Sequence, residues 1–363
     1  MKKLFLLILS FCICLSFAAC AATDPKNLFE TTADTDNTRP TPDDVMLYQG
    51  TYQYGNMQDT LREYMLLGNE VLFSRIINGR SMVFSYDLRT GQVRYFCKDA
   101  TCKHTDCASA LDTGLEVYEG KLYGIRWVES GREIRNDLVT VNRNAMDVIL
   151  EGVTSFLHHE DKLYFRTMDS SLMVLEEGEK EPKMVLEEYT GDMDIFFGNY
   201  LYAIKWGTGI IRIDLTAENP EEEMLVEKAR GMTDGEHIYY TDETTFQLYR
   251  CNMDGSDPQL IDEREVNSGC MNFDDEYFYY RLYTDQKLEG TPDCYDIYRF
   301  PKDDPTQIEK IATLPVPAWQ IYTVPGTGKI FVMATRQEGE VFCHVYIMDC
   351  DGSNMKKLDI PEY

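Results

Sequence analysis

The sequence predicts an all-β fold, a β-propeller of about seven four-stranded blades. Three observations carry this. A short motif recurs along the chain at a spacing of about forty residues, the size of one blade. The 363 residues include 24 Tyr and 17 Phe, side chains that favour strands over helices. No segment holds a convincing run of helical period. A β-sandwich is the alternative fold, but nothing in a sandwich requires such a period.

Taken from the N-terminus, residues 1–20 read MKKLFLLILSFCICLSFAAC, a leader rather than part of the fold. Lys2 and Lys3 supply a positive start. The apolar run from Leu4 to Phe17 is too short for a comfortable membrane span and suits a signal sequence. Ala18 and Ala19 precede Cys20, and the whole segment resembles a bacterial lipoprotein signal. That resemblance implies that Cys20 is lipidated and becomes the new N-terminus, anchored to the cell membrane on its extracytoplasmic face. Phe17 stands where Leu is usual, so plain secretion after Ala19 or Ala21 is the alternative. Residues 21–45 are rich in Thr, Asp, Asn and Pro, have little to bury, and are expected to act as a flexible tether. The propeller is expected over residues 46–363, with Met46 to Tyr54 as an extra strand that closes the ring by pairing with the last blade.

The repeat itself is a Gly, Asp or Asn, then one or two polar residues, then an aliphatic-aromatic pair. It reads GNEVLF, EGKLYG, EDKLYF, GNYLYA, DGEHIYY, DDEYFYY and GTGKIFV. The aromatic of each copy is Phe73, Tyr123, Tyr164, Tyr202, Tyr239, Tyr279 and Phe331, at spacings from 37 to 52 residues. A second strand follows each copy, as in VFSYDL, IIRIDL, LYRCNM and VYIMDC, then a turn, then a third short strand. Asp254-Gly255 and Asp351-Gly352 mark tight reversals between strands. Closing such units into a ring removes exposed sheet edges. The two longest spacings, before Tyr123 and before Phe331, leave room for insertions, so six and eight blades stay open.

These repeats, with their Asp-x-Asp-Gly-Ser turns, resemble those of the TolB-like and uncharacterised propeller lipoproteins of anaerobic Gram-positive bacteria. The resemblance covers roughly residues 46 to 363. It implies the fold and a place at the cell surface, and no particular activity.

The formal net charge of -27 repels a phosphate backbone, so nucleic acid is excluded as a partner. The densest chemistry is CKDATCKHTDC, which gathers Cys97, Cys102, His104 and Cys107. Thiolate and imidazole are zinc ligands, and an exported chain also permits disulfides. Zinc, a bridge and free thiols all stay open. By position the cluster follows the outer strand of the first blade and is expected on a surface loop. Cys251, Cys270, Cys294, Cys343 and Cys350 are the other cysteines of the mature chain. His158-His159 reads as a solvated turn, and His344 beside Cys343 as two faces of one strand. The acidic neighbours Glu221 to Glu223 and Asp303-Asp304 read as solvated turns, and DCDGSN from Asp349 lacks the distal Glu of a calcium loop. The pairs Tyr239-Tyr240 and Tyr279-Tyr280 are candidate stacking surfaces for sugars. No serine nucleophile motif, phosphate loop or dinucleotide fingerprint is present.

The function expected from the sequence is a cell-surface binding or scaffold module for a protein, peptide or glycan, anchored to the membrane by lipid. The alternative is an extracytoplasmic glycan hydrolase or lyase with its site at the propeller channel. Clustered His, Asp, Glu and Arg at the channel mouth favour the enzyme, and exposed aromatics on one face favour the binder.

Overall fold

Alternating buried and exposed side chains, broken every few residues by Gly or Asp, give short strands joined by tight turns. The computed structural model describes residues 64–361 apart from 78–79, 98, 100, 105–106, 108, 119–120, 131–132, 143–144, 190, 192–194, 283–295, 325 and 335–343. The leader with Cys20, the tether, the segment from Met46 to Tyr54, Cys294 and Cys343 lie outside the described residues.

The described strands form seven antiparallel four-stranded sheets, each built from four consecutive strands. They are the blades of a β-propeller. Blade 1 runs from Tyr64 to Tyr95, blade 2 from Thr113 to Glu151, blade 3 from Val153 to Leu186 and blade 4 from Ile195 to Glu227. Blade 5 runs from Ala229 to Asp262, blade 6 from Val266 to Thr313 and blade 7 from Ala318 to Lys357. First strands of neighbouring blades meet at five of the seven boundaries and line the centre, while the fourth strands form the outer rim. The first strands of blades 1 and 7 also meet, which closes the ring. Blade 7 takes all four of its strands from its own segment, Ala318–Val324, Lys329–Ala334, His344–Asp349 and Lys356–Lys357.

The repeat aromatics Phe73, Tyr123, Tyr164, Tyr202, Tyr239, Tyr279 and Phe331 all stand on the second strand of their blades. All but the half-buried Tyr123 are buried. Each buried aromatic stabilises the ring by about 1.5–3 kcal/mol relative to exposure. Rings also stack across blade boundaries: Tyr64 on Tyr322 at 4.3 Å between blades 1 and 7, and Tyr239 on Phe278 at 4.5 Å between blades 5 and 6. The long spacing before Tyr123 holds the cysteine connection between blades 1 and 2, and that before Phe331 holds residues 283–295.

The Asp-Gly turns join the third strand of a blade to its fourth. Asp254 Oδ1 accepts the Ser256 N–H at 2.9 Å, and Asp351 Oδ1 accepts the Ser353 N–H at 2.8 Å. Gly255 (φ 79°) and Gly352 (φ 82°) adopt the left-handed conformation that glycine tolerates. A Cβ on Gly255 would come within 2.5 Å of the Leu225 carbonyl oxygen, and one on Gly352 within 2.0 Å of that of Ile311. Leu225 and Ile311 lie on the fourth strands of the preceding blades. The motif is therefore both a turn and a contact between blades.

Every blade meanders in the same sense, so one end of each carries the turn between its second and third strands. The same end receives the connection from the fourth strand of the preceding blade. These ends make up one face of the ring, here called the hairpin face.

Candidate functional site

The connection from Phe96 to Asp112 crosses the hairpin face from the rim of blade 1 to the centre of blade 2. Its arms are tied to blade 1 by backbone bonds. The Phe96 N–H donates to the Val83 carbonyl at 3.0 Å, and the Val83 N–H to the Ser109 carbonyl at 2.8 Å. The Ser109 hydroxyl oxygen, fully buried, accepts the Cys97 N–H at 2.6 Å. Asp99 starts an Asx turn, its carboxylate accepting the Thr101 N–H at 2.8 Å and its hydroxyl at 2.7 Å. Those bonds hold its carboxyl below the usual range.

The turn brings Cys97, Cys102, His104 and Cys107 together, their ligand atoms all within 4.8 Å of one another. The three thiols are not bridged. Cys107 Sγ lies 3.5 Å from His104 Nδ1. The His104 ring stacks on Tyr95 at 4.3 Å, and its backbone sits at φ 49°. Each sulfur has a backbone N–H from the residue two positions on: Asp99 at Cys97, His104 at Cys102 (3.3 Å) and Ser109 at Cys107 (3.4 Å). Burial raises the Cys97 thiol and pushes that of Cys107 up to about 12.

The expectation of a surface loop is corrected in part. The segment is a loop, but Cys97, His104 and Cys107 are buried in it, with the His104 ring stacked on Tyr95. His158 also departs from its expected solvated turn. It lies in the first strand of blade 3 (Val153–His159), buried, with Nδ1 2.7 Å from Glu116 Oε2 on the first strand of blade 2. Tyr118 stacks on it at 4.1 Å. Both rings of each Tyr-Tyr pair are buried too, so neither pair is a surface for sugars. The Asp349 turn is satisfied internally: Asp349 pairs with Lys329 and accepts the Asn354 side-chain N–H at 2.6 Å.

The sequence reading missed the tryptophans. The chain has three, and Trp127, Trp206 and Trp319 are all about half exposed, at 55%, 47% and 54%. Trp127 stands in the long second strand of blade 2 (Lys121–Ser130), Trp206 in the turn after the second strand of blade 4, and Trp319 at the start of blade 7. All three occupy the hairpin face, as do the exposed Met168 and Phe246 in the corresponding turns of blades 3 and 5. Of the remaining exposed large apolar side chains, Val148, Ile149, Met184, Met224 and Leu260 sit on fourth strands at the rim, and Met355 lies just before the fourth strand of blade 7. The Arg230 guanidinium lies 4.5 Å over the Trp206 ring. The backbone N–H of Trp127 donates to Asp112 Oδ2 at 2.6 Å, which joins the end of the cysteine connection to the strand that carries this tryptophan. Burial raises the Asp112 carboxyl above its ordinary value.

No family model matches the sequence, and no curated protein matches it. Among solved structures, the chain is similar to one from a structural and mechanistic analysis of two prolyl endopeptidases, at 11% identity and TM-score 0.57, over 86% of this chain and 52% of that one. It thus spans about half the length of that enzyme chain. Weaker likenesses are to a protein assigned as TolB in Agrobacterium tumefaciens (16% identity, TM-score 0.39, 59% of this chain and 84% of that) and to an oligogalacturonate lyase in complex with manganese (12%, TM-score 0.41, 65% and 72%). At these identities the likeness shows the β-propeller fold alone.

Proposed function

We propose that this chain is a lipid-anchored binding module on the extracytoplasmic face of the cell membrane, which holds a protein, peptide or glycan on the hairpin face of its propeller. The observation that supports this most is the tryptophan distribution. A fold that buries most of the described Tyr and Phe rings of its blades leaves all three indoles half exposed on one face. Indoles gain more from burial than most side chains, and tryptophan is enriched where binding energy concentrates. The acidic surface, with a net charge of -27, disfavours a polyanionic ligand. The enzyme reading draws less support: the buried His158–Glu116 pair, closed over by Tyr118, serves as a bond between blades 2 and 3.

The test is a screen of the full chain against immobilised glycans and peptides, with the triple variant Trp127→Ala, Trp206→Ala, Trp319→Ala alongside. The rings are half exposed, so each substitution is expected to cost about 1–2 kcal/mol of stability, and a thermal unfolding curve of the variant shows that it is folded under the capture conditions. Capture of the wild type and at least about tenfold weaker capture of the variant is the expected result. Equal capture of both would remove the hairpin face from the proposal. The anchor is tested by Cys20→Ala, which should release the protein from the membrane fraction; retention there would contradict lipidation at Cys20.

A further inference from the structure

We infer that Cys97, Cys102, His104 and Cys107 hold one structural zinc ion, a site that does not depend on the ligand reading above. A tetrahedral zinc with Zn–S of about 2.3 Å and Zn–N of about 2.0 Å needs sulfurs about 3.8 Å apart, and sulfur and nitrogen about 3.5 Å apart. The four ligand atoms lie within 4.8 Å of one another, and Cys107 Sγ and His104 Nδ1 are 3.5 Å apart. The ligand sphere is nearly assembled by the fold itself.

The backbone donors around the sulfurs suit metal-bound thiolates. Each of the three sulfurs faces a backbone N–H from the residue two positions on. Such bonds stabilise negative sulfur and would be wasted on a disulfide. A bridge would use only two of the three sulfurs, whereas the ligand atoms of all three cysteines and of His104 converge. His104 enters the cluster through a left-handed backbone at φ 49°, a conformation uncommon outside glycine that persists where the surroundings enforce it. Zinc bound here displaces three thiol protons to water. It gives a centre of net charge −1, which the three N–H groups offset. With four protein ligands the centre is closed, as structural rather than catalytic sites are.

The position explains the need. Among the described residues of 96–112, the backbone bonds to strands lie at the two ends, to Val83 of blade 1 and from Asp112 to Ile125 of blade 2, and ordering the connection between them costs chain entropy. A metal joining both arms supplies the constraint. It also fixes Asp112, whose carboxylate receives the backbone N–H of Trp127.

The experiment is metal analysis of the full chain purified without chelator, with intact mass and thiol counting on the same sample. One zinc per chain, at least about tenfold lower affinity in Cys102→Ser and in His104→Ala, and protection of three thiols until zinc is chelated are expected. Cobalt loading of the metal-stripped wild type needs no variant and should give the thiolate-to-cobalt charge-transfer and visible bands of a tetrahedral site. A metal-free chain lighter by two hydrogens, with one bridge within the cluster, would overturn the proposal. A metal-free chain with all three thiols reactive and no cobalt spectrum would overturn it equally.

Discussion

At the scale of single residues, glycine shows how one position serves both its own blade and the next. Gly352 combines a left-handed backbone with a carbonyl of blade 6 only 2.0 Å from where a Cβ would stand. Gly178, in the equivalent turn of blade 3, has a similar φ of 80° but nothing within 4 Å. Gly352→Ala should therefore cost about 2–4 kcal/mol, and Gly178→Ala only about 1 kcal/mol, measured by urea unfolding. Equal costs would mean that the contact between blades 6 and 7 is not what restricts Gly352. The Asp-Gly pair was legible as a turn because its local chemistry demands one. Its second task was not, because Ile311 is far away in sequence.

At the scale of the element, the second strands were legible and the first were not. The aliphatic-aromatic pair writes the second strand in every blade, and in all but blade 2 its aromatic is buried. First strands such as Ile195–Phe197 and Ala229–Thr233 are short and carry no comparable signature. The same gap explains His158: the first strand of blade 3 runs through it, and a pair of histidines beside Glu160-Asp161 looks like the turn that in fact begins just after. Third strands contribute buried thiols. Cys251 in Leu248–Asn252 packs in the core shared by blades 4 to 6, and burial pushes its thiol from 9.0 up to about 12. Its folded pKa lies above its unfolded one. Stability is unaffected by this group below pH 9.0, and falls as pH rises toward about 12, because the unfolded chain releases a proton that the fold keeps. Thermal unfolding followed from neutral to alkaline pH should show a shallower loss for Cys251→Ala than for the wild type. Parallel curves would show that this thiol ionises as easily in the fold as out of it.

At the scale of the whole molecule, the ring makes neighbours of residues that the sequence keeps apart. The count of seven blades was legible because each repeats one pattern. The cysteine cluster was legible as a group because its members fall within one segment, although its burial was not. The tryptophan face was illegible: Trp127, Trp206 and Trp319 belong to blades 2, 4 and 7, and only the common sense of the meanders aligns them. That arrangement supplies its own reporter, since the chain has no other tryptophan. Acrylamide quenching of tryptophan emission in the full chain therefore tests the central claim most directly. The free protein should quench efficiently, with an emission maximum close to that of a solvated indole, and a saturating ligand captured in the binding screen should shield the emission. Efficient binding that leaves quenching unchanged, or indoles already shielded in the free protein, would contradict a ligand surface on the hairpin face.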